Sequence, residues 1–195
     1  MQLITVSDGT TTLSTPNPEL ALQVLAGLGA SAKQASSTTA VPAIGEVWPG
    51  EGGVNGGLFP GDGKPYYLIV PTGADAEREL EWGGRGNELN GASSAWDGHS
   101  NTADLAGSDE THPAAQFCSS FERDGHNDFH LMSRREASFL EITLGDKDVF
   151  SKSWHWTSTQ FSADNAFLMA FEAGWIIINA KANERLVRPV RRRFI

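Results

Sequence analysis

The chain has a single cysteine, Cys118, in 195 residues. One thiol excludes an intrachain disulfide and any zinc site built from several thiolates. No apolar run approaches the roughly 18 residues that a membrane-spanning helix requires, so membrane insertion is not expected. The opening stretch Met1–Asp8 has neither a basic start nor an apolar run, and a secretory signal peptide is not expected there. These absences point to a chain made in a reducing cytoplasm. Basic residues are also few, 15 Lys and Arg against 24 Asp and Glu, for a net charge of −9. A surface of that sign repels phosphate, so nucleic acid is not expected as a partner.

Glycine is abundant at 21 residues, with 9 prolines, and 39% of the chain is apolar. That composition predicts one turn-rich core of ordinary size, with at most a small appendage. Charge is unevenly spread. Residues 1–110 hold 14 acids and 4 bases (net −10), and residues 111–195 hold 10 acids and 11 bases (net +1). The basic run Arg188-Pro189-Val190-Arg191-Arg192-Arg193 reads as a last strand with charge on its solvent face, the alternative being a phosphate-binding patch.

Along the chain, Leu3–Val6 and Thr10–Leu13 flank Asp8-Gly9 and predict a hairpin. Thr15-Pro16-Asn17-Pro18-Glu19 predicts a helix start with Asn17 as N-cap, running to about Leu28. Residues 1–30 are too few to bury a core alone. They are expected to act as an assembly segment, or else to dock on their own domain. Residues 31–43 lose all periodicity and read as a linker, and the main domain follows over 44–195. Its glycine-rich start, Gly45–Phe59, suggests turns between short strands and lacks the spacing of a phosphate-binding loop. Tyr66–Val70 reads as a strand. The polar stretch from Pro71 to Thr111, with Trp82 and Trp96, reads as a long loop, either functional or partly ordered by its own packing. Helices are predicted at Pro113–Arg123 and Ser133–Ile142, the second opened by a Ser133/Glu136 capping box. Alternation and β-branched content then predict strands at Trp154–Thr159, Ala166–Phe171, Gly174–Asn179 and Leu186–Arg191.

The fold class expected is therefore α+β. Three motifs carry a family resemblance: Gly125-His126-Asn127-Asp128-Phe129-His130-Leu131-Met132-Ser133-Arg134-Arg135-Glu136, then Trp154-His155-Trp156-Thr157-Ser158-Thr159, then Val187-Arg188-Pro189-Val190-Arg191. In this order they resemble the C-type-lectin fold. The branch concerned is shared by formylglycine-generating enzymes, collagen-like-lectin C-terminal domains of bacteria, and phage tail and host-recognition proteins. The resemblance covers residues 44–195 and implies two helices with antiparallel sheets, preceded by the small hairpin-helix segment. Phe129, His130 and Met132 depart from the pattern, where Trp, Arg and Pro are usual, so a buried arginine pairing is not carried over. Phe129, Glu136, Trp154, Trp156, Ser158 and Arg188 are expected to serve as scaffold.

Enzyme activity is not expected, and no catalytic residue is assigned. The paired late cysteines of formylglycine-generating enzymes are missing, and Cys118 falls on an apolar helical stripe, which suits an inert core thiol. A Cys/His nucleophile pair would need one of His99, His112, His126, His130 or His155 beside it. His126 and His130 lie four apart, but Asn127-Asp128 between them suits a turn and no HExxH motif occurs, so no metal site is assigned. No cofactor is expected. Calcium is left open, because Asp146, Asp148 and the acids from Asp104 to Glu110 lack the alternating spacing of a calcium loop and the sugar-binding tripeptides of calcium-dependent lectins are missing.

The resemblance implies a ligand face built by the late loops. The candidate contacts are Gln160, Phe161, Asp164, Asn165, Asn179, Lys181 and Asn183, with Trp175 opening the strand between the two loops. The alternative places Trp175 in the core. The expected role is a non-catalytic phage or prophage virion protein, a tail-associated module that recognises a host-surface glycan or protein. It would join other virion subunits through its N-terminal segment and form a homo-oligomer. The alternatives are a purely structural tail-tip or capsid-decoration component and, behind it, an enzyme of the formylglycine-generating type.

Overall fold

The computed structural model describes residues 4–7, 12–17, 19, 21, 23 and 41–195. The chain divides into two compact units, 1–41 and 42–195. In the first, β1 (Ile4–Ser7) pairs antiparallel with β2 (Thr12–Thr15), Ile4 opposite Thr15 and Ser7 opposite Thr12. The second strand thus lies two residues later than the sequence suggests. Asn17 caps a helical start: its Oδ1 accepts from the Glu19 N–H at 3.0 Å, and its carbonyl accepts from Ala21 at 3.2 Å. The predicted helix end near Leu28 and most of the predicted linker lie outside the described residues.

The second unit is α+β, with three helices and two five-stranded, mainly antiparallel sheets among the described residues. The first sheet runs β3 (Val47–Trp48), β4 (Gly53–Phe59), β5 (Tyr66–Val70), β12 (Pro189–Phe194), β7 (Phe129–Leu131). The second runs β10 (Trp175–Ala180), β9 (Asn165–Ala170), β8 (Trp154–Gln160), β11 (Glu184–Val187), β6 (Arg78–Glu81). Only the β8–β11 contact is parallel.

The predicted last strand, Leu186–Arg191, is two strands in two sheets. The chain leaves β11 at Val187 and enters β12 at Pro189, mirroring the passage from β5 to β6 through Pro71–Glu77. Arg188 fastens both crossings. Its Nη1 donates to Pro71 O at 2.6 Å and its Nε to Glu77 Oε1 at 3.2 Å. The alternation in Val187–Arg191 reads as one strand because a residue between two strands, with its side chain held inside, has the same pattern as one within a strand.

The stretch 71–111 is not one long loop. It contains β6 and a helix, α1 (Gly98–Ala106). Strand β6 escapes notice because Arg-Glu-Leu-Glu is charged at three of four positions, which suits an edge strand and not a core one. Helix α1 escapes because its buried side is mostly polar. Asn101 Nδ2 donates to Ser94 O at 2.7 Å and to Ser158 Oγ at 3.1 Å, Thr102 Oγ1 accepts from Leu131 N–H at 3.0 Å, and Leu105 supplies the apolar contact. Asp97 caps its start by accepting from Ser100 N–H at 2.8 Å.

Helix α2 (Pro113–Ser119) ends four residues before the predicted Arg123, so Phe121 is outside it. Cys118 on this helix is fully buried with Ala114, Ala115, Trp156 and Leu168, and burial pushes its thiol well up. Helix α3 (Arg134–Leu144) begins with the predicted capping box, Ser133 and Glu136 each bonding the other's backbone N–H. It buries Ala137, Leu140 and Leu144 against Val54, Leu68, Val70, Met169 and Val190, with Phe139 partly covered. A second apolar cluster gathers Trp82, Leu105, Leu131, Trp156, Leu168 and Val187 between α1, α2 and the second sheet.

Candidate functional site

Ionisable groups inside the fold are tied to one another. Glu136 is wholly buried; it accepts from Tyr66 OH at 2.7 Å, from the Ser133 N–H at 2.6 Å and from His130 Nε2 at 3.2 Å, with Arg192 Nε at 3.6 Å. Burial alone would raise this carboxyl, but His130 and Arg192 outweigh it and hold it below its ordinary value. Burial and the Glu136 charge together drive the Tyr66 hydroxyl upward. His130 from β7 and Arg192 from β12 thus both face the Glu136 carboxylate.

A second network joins the sheet crossings. Glu77 receives His155 Nε2 at 2.8 Å, Arg188, and the Ser151 hydroxyl. Burial would raise Glu77, but the hydrogen bonds from His155 and Ser151 and the charge of Arg188 lower it to about 2.

The basic run is not a solvent-facing stripe. Arg191 is paired with Glu51 at 2.8 Å and Asp128 at 2.5 Å, Arg192 with Asp97, and Arg193 with Glu51 at 2.8 Å. Glu51 and Asp97 from the first half of the chain and Asp128 from the second thus meet the arginines of the last strand. His126 and His130 have different partners: His126 Nε2 contacts Gly50 O at 2.9 Å and His130 Nε2 contacts Glu136, and the turn lies before His126, at Asp124-Gly125, instead of at Asn127-Asp128. Among the described residues, no group of three or more His, Cys, Asp or Glu side chains is placed to hold a metal ion.

The predicted scaffold residues lie as follows. Phe129 and Trp156 are buried, Trp154 is half-buried against the second cluster, and Trp156 Nε1 donates to Leu80 O at 3.0 Å. Thr157 Oγ1 donates to Phe167 O at 2.9 Å, and Ser158 Oγ receives Asn101.

Of the predicted contacts, all but Trp175 gather at one end of the second sheet. Strands β8 and β9 are joined by the loop 161–164, β10 and β11 by 181–183, and Lys181 N–H donates to Asp164 O at 2.9 Å across them. Phe161 is 54% exposed, and Asp164 and Asn183 are exposed. Asn165 and Asn179 are half-buried, and Asn183 Nδ2 donates to Asn179 Oδ1 at 2.5 Å. Gln160 and Lys181, in contrast, are buried. Lys181 Nζ donates to Gln160 Oε1 at 2.8 Å and to Asn87 O at 2.9 Å and sits 4.6 Å from the centre of the Trp82 ring, so both side chains brace the loops from within. Burial pushes the Lys181 ammonium down against the pull of Glu110, Glu88 and Asp164. Trp175 is exposed, but it pairs with Ala170 while Ala180 pairs with Asn165. At about 3.4 Å per residue, that leaves it about 17 Å from the loop end.

A third segment completes this end. Residues 82–89 run beside the two loops, with Gly86 N–H donating to Ala163 O at 3.0 Å, Leu89 N–H to Gln160 Oε1 at 3.2 Å and Trp82 N–H to Lys181 O at 3.0 Å. Gly83 and Gly84, both at positive φ, let this segment lie directly on Thr111 and His112, where a Cβ would collide with the Thr111 carbonyl and the His112 ring. Between residues 87–89 of this segment and residues 107–112 opens a cleft of about 500 Å³, lined by Asn87, Glu88, Ser108, Asp109, Glu110 and His112 among others. The buried His112 ring stands edge-on to Trp82, with Nδ1 3.3 Å from Trp82 O, and burial keeps it low in basicity. The cleft offers carboxylate, amide, hydroxyl and imidazole groups at short spacing, a lining suited to hydroxyl-rich or cationic ligands. The sequence reading singles out Asp109 and Glu110 only as possible calcium carboxylates and His112 only as a possible partner for Cys118, and it does not group them with Asn87, Glu88 or the late loops. The Gly83-Gly84 pair and the run Ser108-Asp109-Glu110 were the signals present. No family model matches this chain, and no curated protein matches it in sequence.

Proposed function

We propose that the second unit is a C-type-lectin-like, non-catalytic recognition module of a phage or prophage virion, contacting a host-surface glycan or protein with the loop end of its second sheet. The observation that carries this reading is the convergence of three separate segments, 82–89, 161–164 and 181–183, braced by buried Gln160 and Lys181 beside a polar cleft and the exposed ring of Phe161. A braced loop end of this kind tolerates variation at its tips without disturbing the core, the usual arrangement of a binding surface. Phe161 offers a ring face for stacking on a sugar or an apolar side chain, while Asp164, Asn183 and the cleft carboxylates accept hydrogen bonds from hydroxyl groups. The non-catalytic reading is supported by the engagement of Glu77, Glu136, Tyr66 and Arg192 in internal pairs that serve the scaffold. Residues 1–30 would join neighbouring virion subunits.

Particles carrying Phe161→Ala with Asp164→Ala are the test. Both side chains are largely outside the core, so the variant is expected to assemble and to melt at the wild-type temperature, while adsorption to host cells falls about tenfold or more. Particles that fail to assemble would instead favour the structural-component reading, and normal adsorption would remove the loop end from recognition.

A further inference from the structure

The second sheet ends on β10, which pairs with β9 along one edge and, among the described residues, with no strand along the other. Trp175, Ile176, Ile177 and Ile178 are 64%, 38%, 39% and 42% exposed. Successive strand residues point to opposite faces, so apolar side chains are open to solvent on both sides of this strand. The opposite edge of the same sheet is defended: β6 carries Arg78, Glu79 and Glu81. Strand β10 has no charge, no proline and no bulge in its pairing with β9. An edge lacking all these devices is a template for another strand.

We propose that β10 is the surface through which two copies of this chain associate, pairing edge to edge and antiparallel about a two-fold axis at Ile177. Such an axis makes facing residues share one hydrogen-bonding class, so it passes through a residue and not between two. Centred on Ile177, it sets Ile177 opposite its own copy, Ile176 opposite the second copy's Ile178, and Trp175 opposite Asn179. Isoleucine then meets isoleucine on both faces, the cross-strand pairing that stabilises sheets best. Moving the axis to Ile178 would set Trp175 opposite Lys181, and moving it to Ile176 would set Ala180 opposite Glu172. Residues 173–180 carry no charged side chain, so two chains of net charge −9 meet along an uncharged strip. A partner of different sequence would have to bring its own matching apolar strand, whereas a second copy supplies the facing Ile176–Ile178 run by symmetry. The pairing uses neither Phe161 nor Asp164, which lie in the loop between β8 and β9, so it is tested separately from the loop-end reading.

Sedimentation equilibrium of the full chain over a concentration series tests it. Wild type is expected to reach at least twice the chain mass, with Ile177→Lys halving that mass and raising the dissociation constant about tenfold or more by placing two ammonium groups across the axis. Ile142→Lys, at a side chain 79% exposed on α3, is expected to leave the assembly intact. A monomeric wild type, an Ile177→Lys assembly of unchanged mass, or equal loss in Ile142→Lys would overturn the proposal. Should Ile177→Lys melt early, hydrogen exchange of the wild type decides: concentration-dependent protection of the outward β10 amides is expected, and exchange independent of concentration would refute the pairing.

Discussion

Replacing Glu77 by Gln is expected to lower the free energy of unfolding by about 3–5 kcal/mol, read as a shift in the urea midpoint at unchanged slope. The substitution keeps the shape of the side chain but removes the only carboxylate ion-paired with Arg188 among the described residues, the one that His155 Nε2 also contacts at 2.8 Å. Both partners are buried, and a buried cation left without its anion bears the full loss of hydration. The effect should also appear as a change in pH dependence. Glu77 in the folded chain sits at about 2, below its ordinary 4.5. A carboxyl depressed on folding stabilises the native state fully above its unfolded value and ceases to do so as pH falls through the folded one. Wild-type stability is therefore expected to decline between about pH 4.5 and pH 2, and Glu77→Gln to show a shallower decline over that interval. Equal slopes for the two proteins would show that the carboxyl is not held by these partners.

Trp156→Ala is expected to cost about 3–5 kcal/mol, by lost burial and by the cavity left behind. Its indole is fully buried between the second sheet and the helices, and its Nε1–H bonds Leu80 O on the edge strand β6. Loss of that bond leaves the Leu80 carbonyl without this donor, so β6 should exchange its amides faster than the rest of the sheet in the variant. Trp156→Phe, which fills most of the space, is expected to recover part of the stability and none of the β6 protection that depends on the indole N–H. Full recovery of both by phenylalanine would show that volume alone matters at this position.

These two residues mark how far the sequence could be read. Trp156 stands in a run of alternating residues, and alternation reports a buried strand face directly, so its role was legible before any coordinates. Glu77 is one of 24 acids, and nothing local distinguishes it from an exposed neighbour such as Glu79. Its partners lie 78 and 111 residues away, a distance over which sequence pattern carries no information. The same holds for Asn101 and Thr102, which bury a helix through hydrogen bonds and leave no apolar stripe to detect. At the loop end, chain order correctly brought Phe161, Asp164 and Asn183 together, because consecutive antiparallel strands must place alternate turns at the same end. That rule also puts Trp175 at the other end, next to the β9–β10 turn, so its grouping with the loops fails on geometry alone. Lys181 and Gln160 fall in the late loops that the resemblance assigns to the ligand face, and lysine and glutamine are mostly exposed. Here Asn87 O and the Trp82 ring take up the ammonium that water would otherwise solvate.

The central claim, that the braced loop end is the contact surface, is tested most directly by binding of the full chain to a panel of purified bacterial-surface polysaccharides and glycans, with and without a calcium chelator. Wild type is expected to bind members of the panel and the Phe161→Ala, Asp164→Ala chain to bind them at least about tenfold more weakly at unchanged thermal stability. Equal binding by the two chains would contradict the claim.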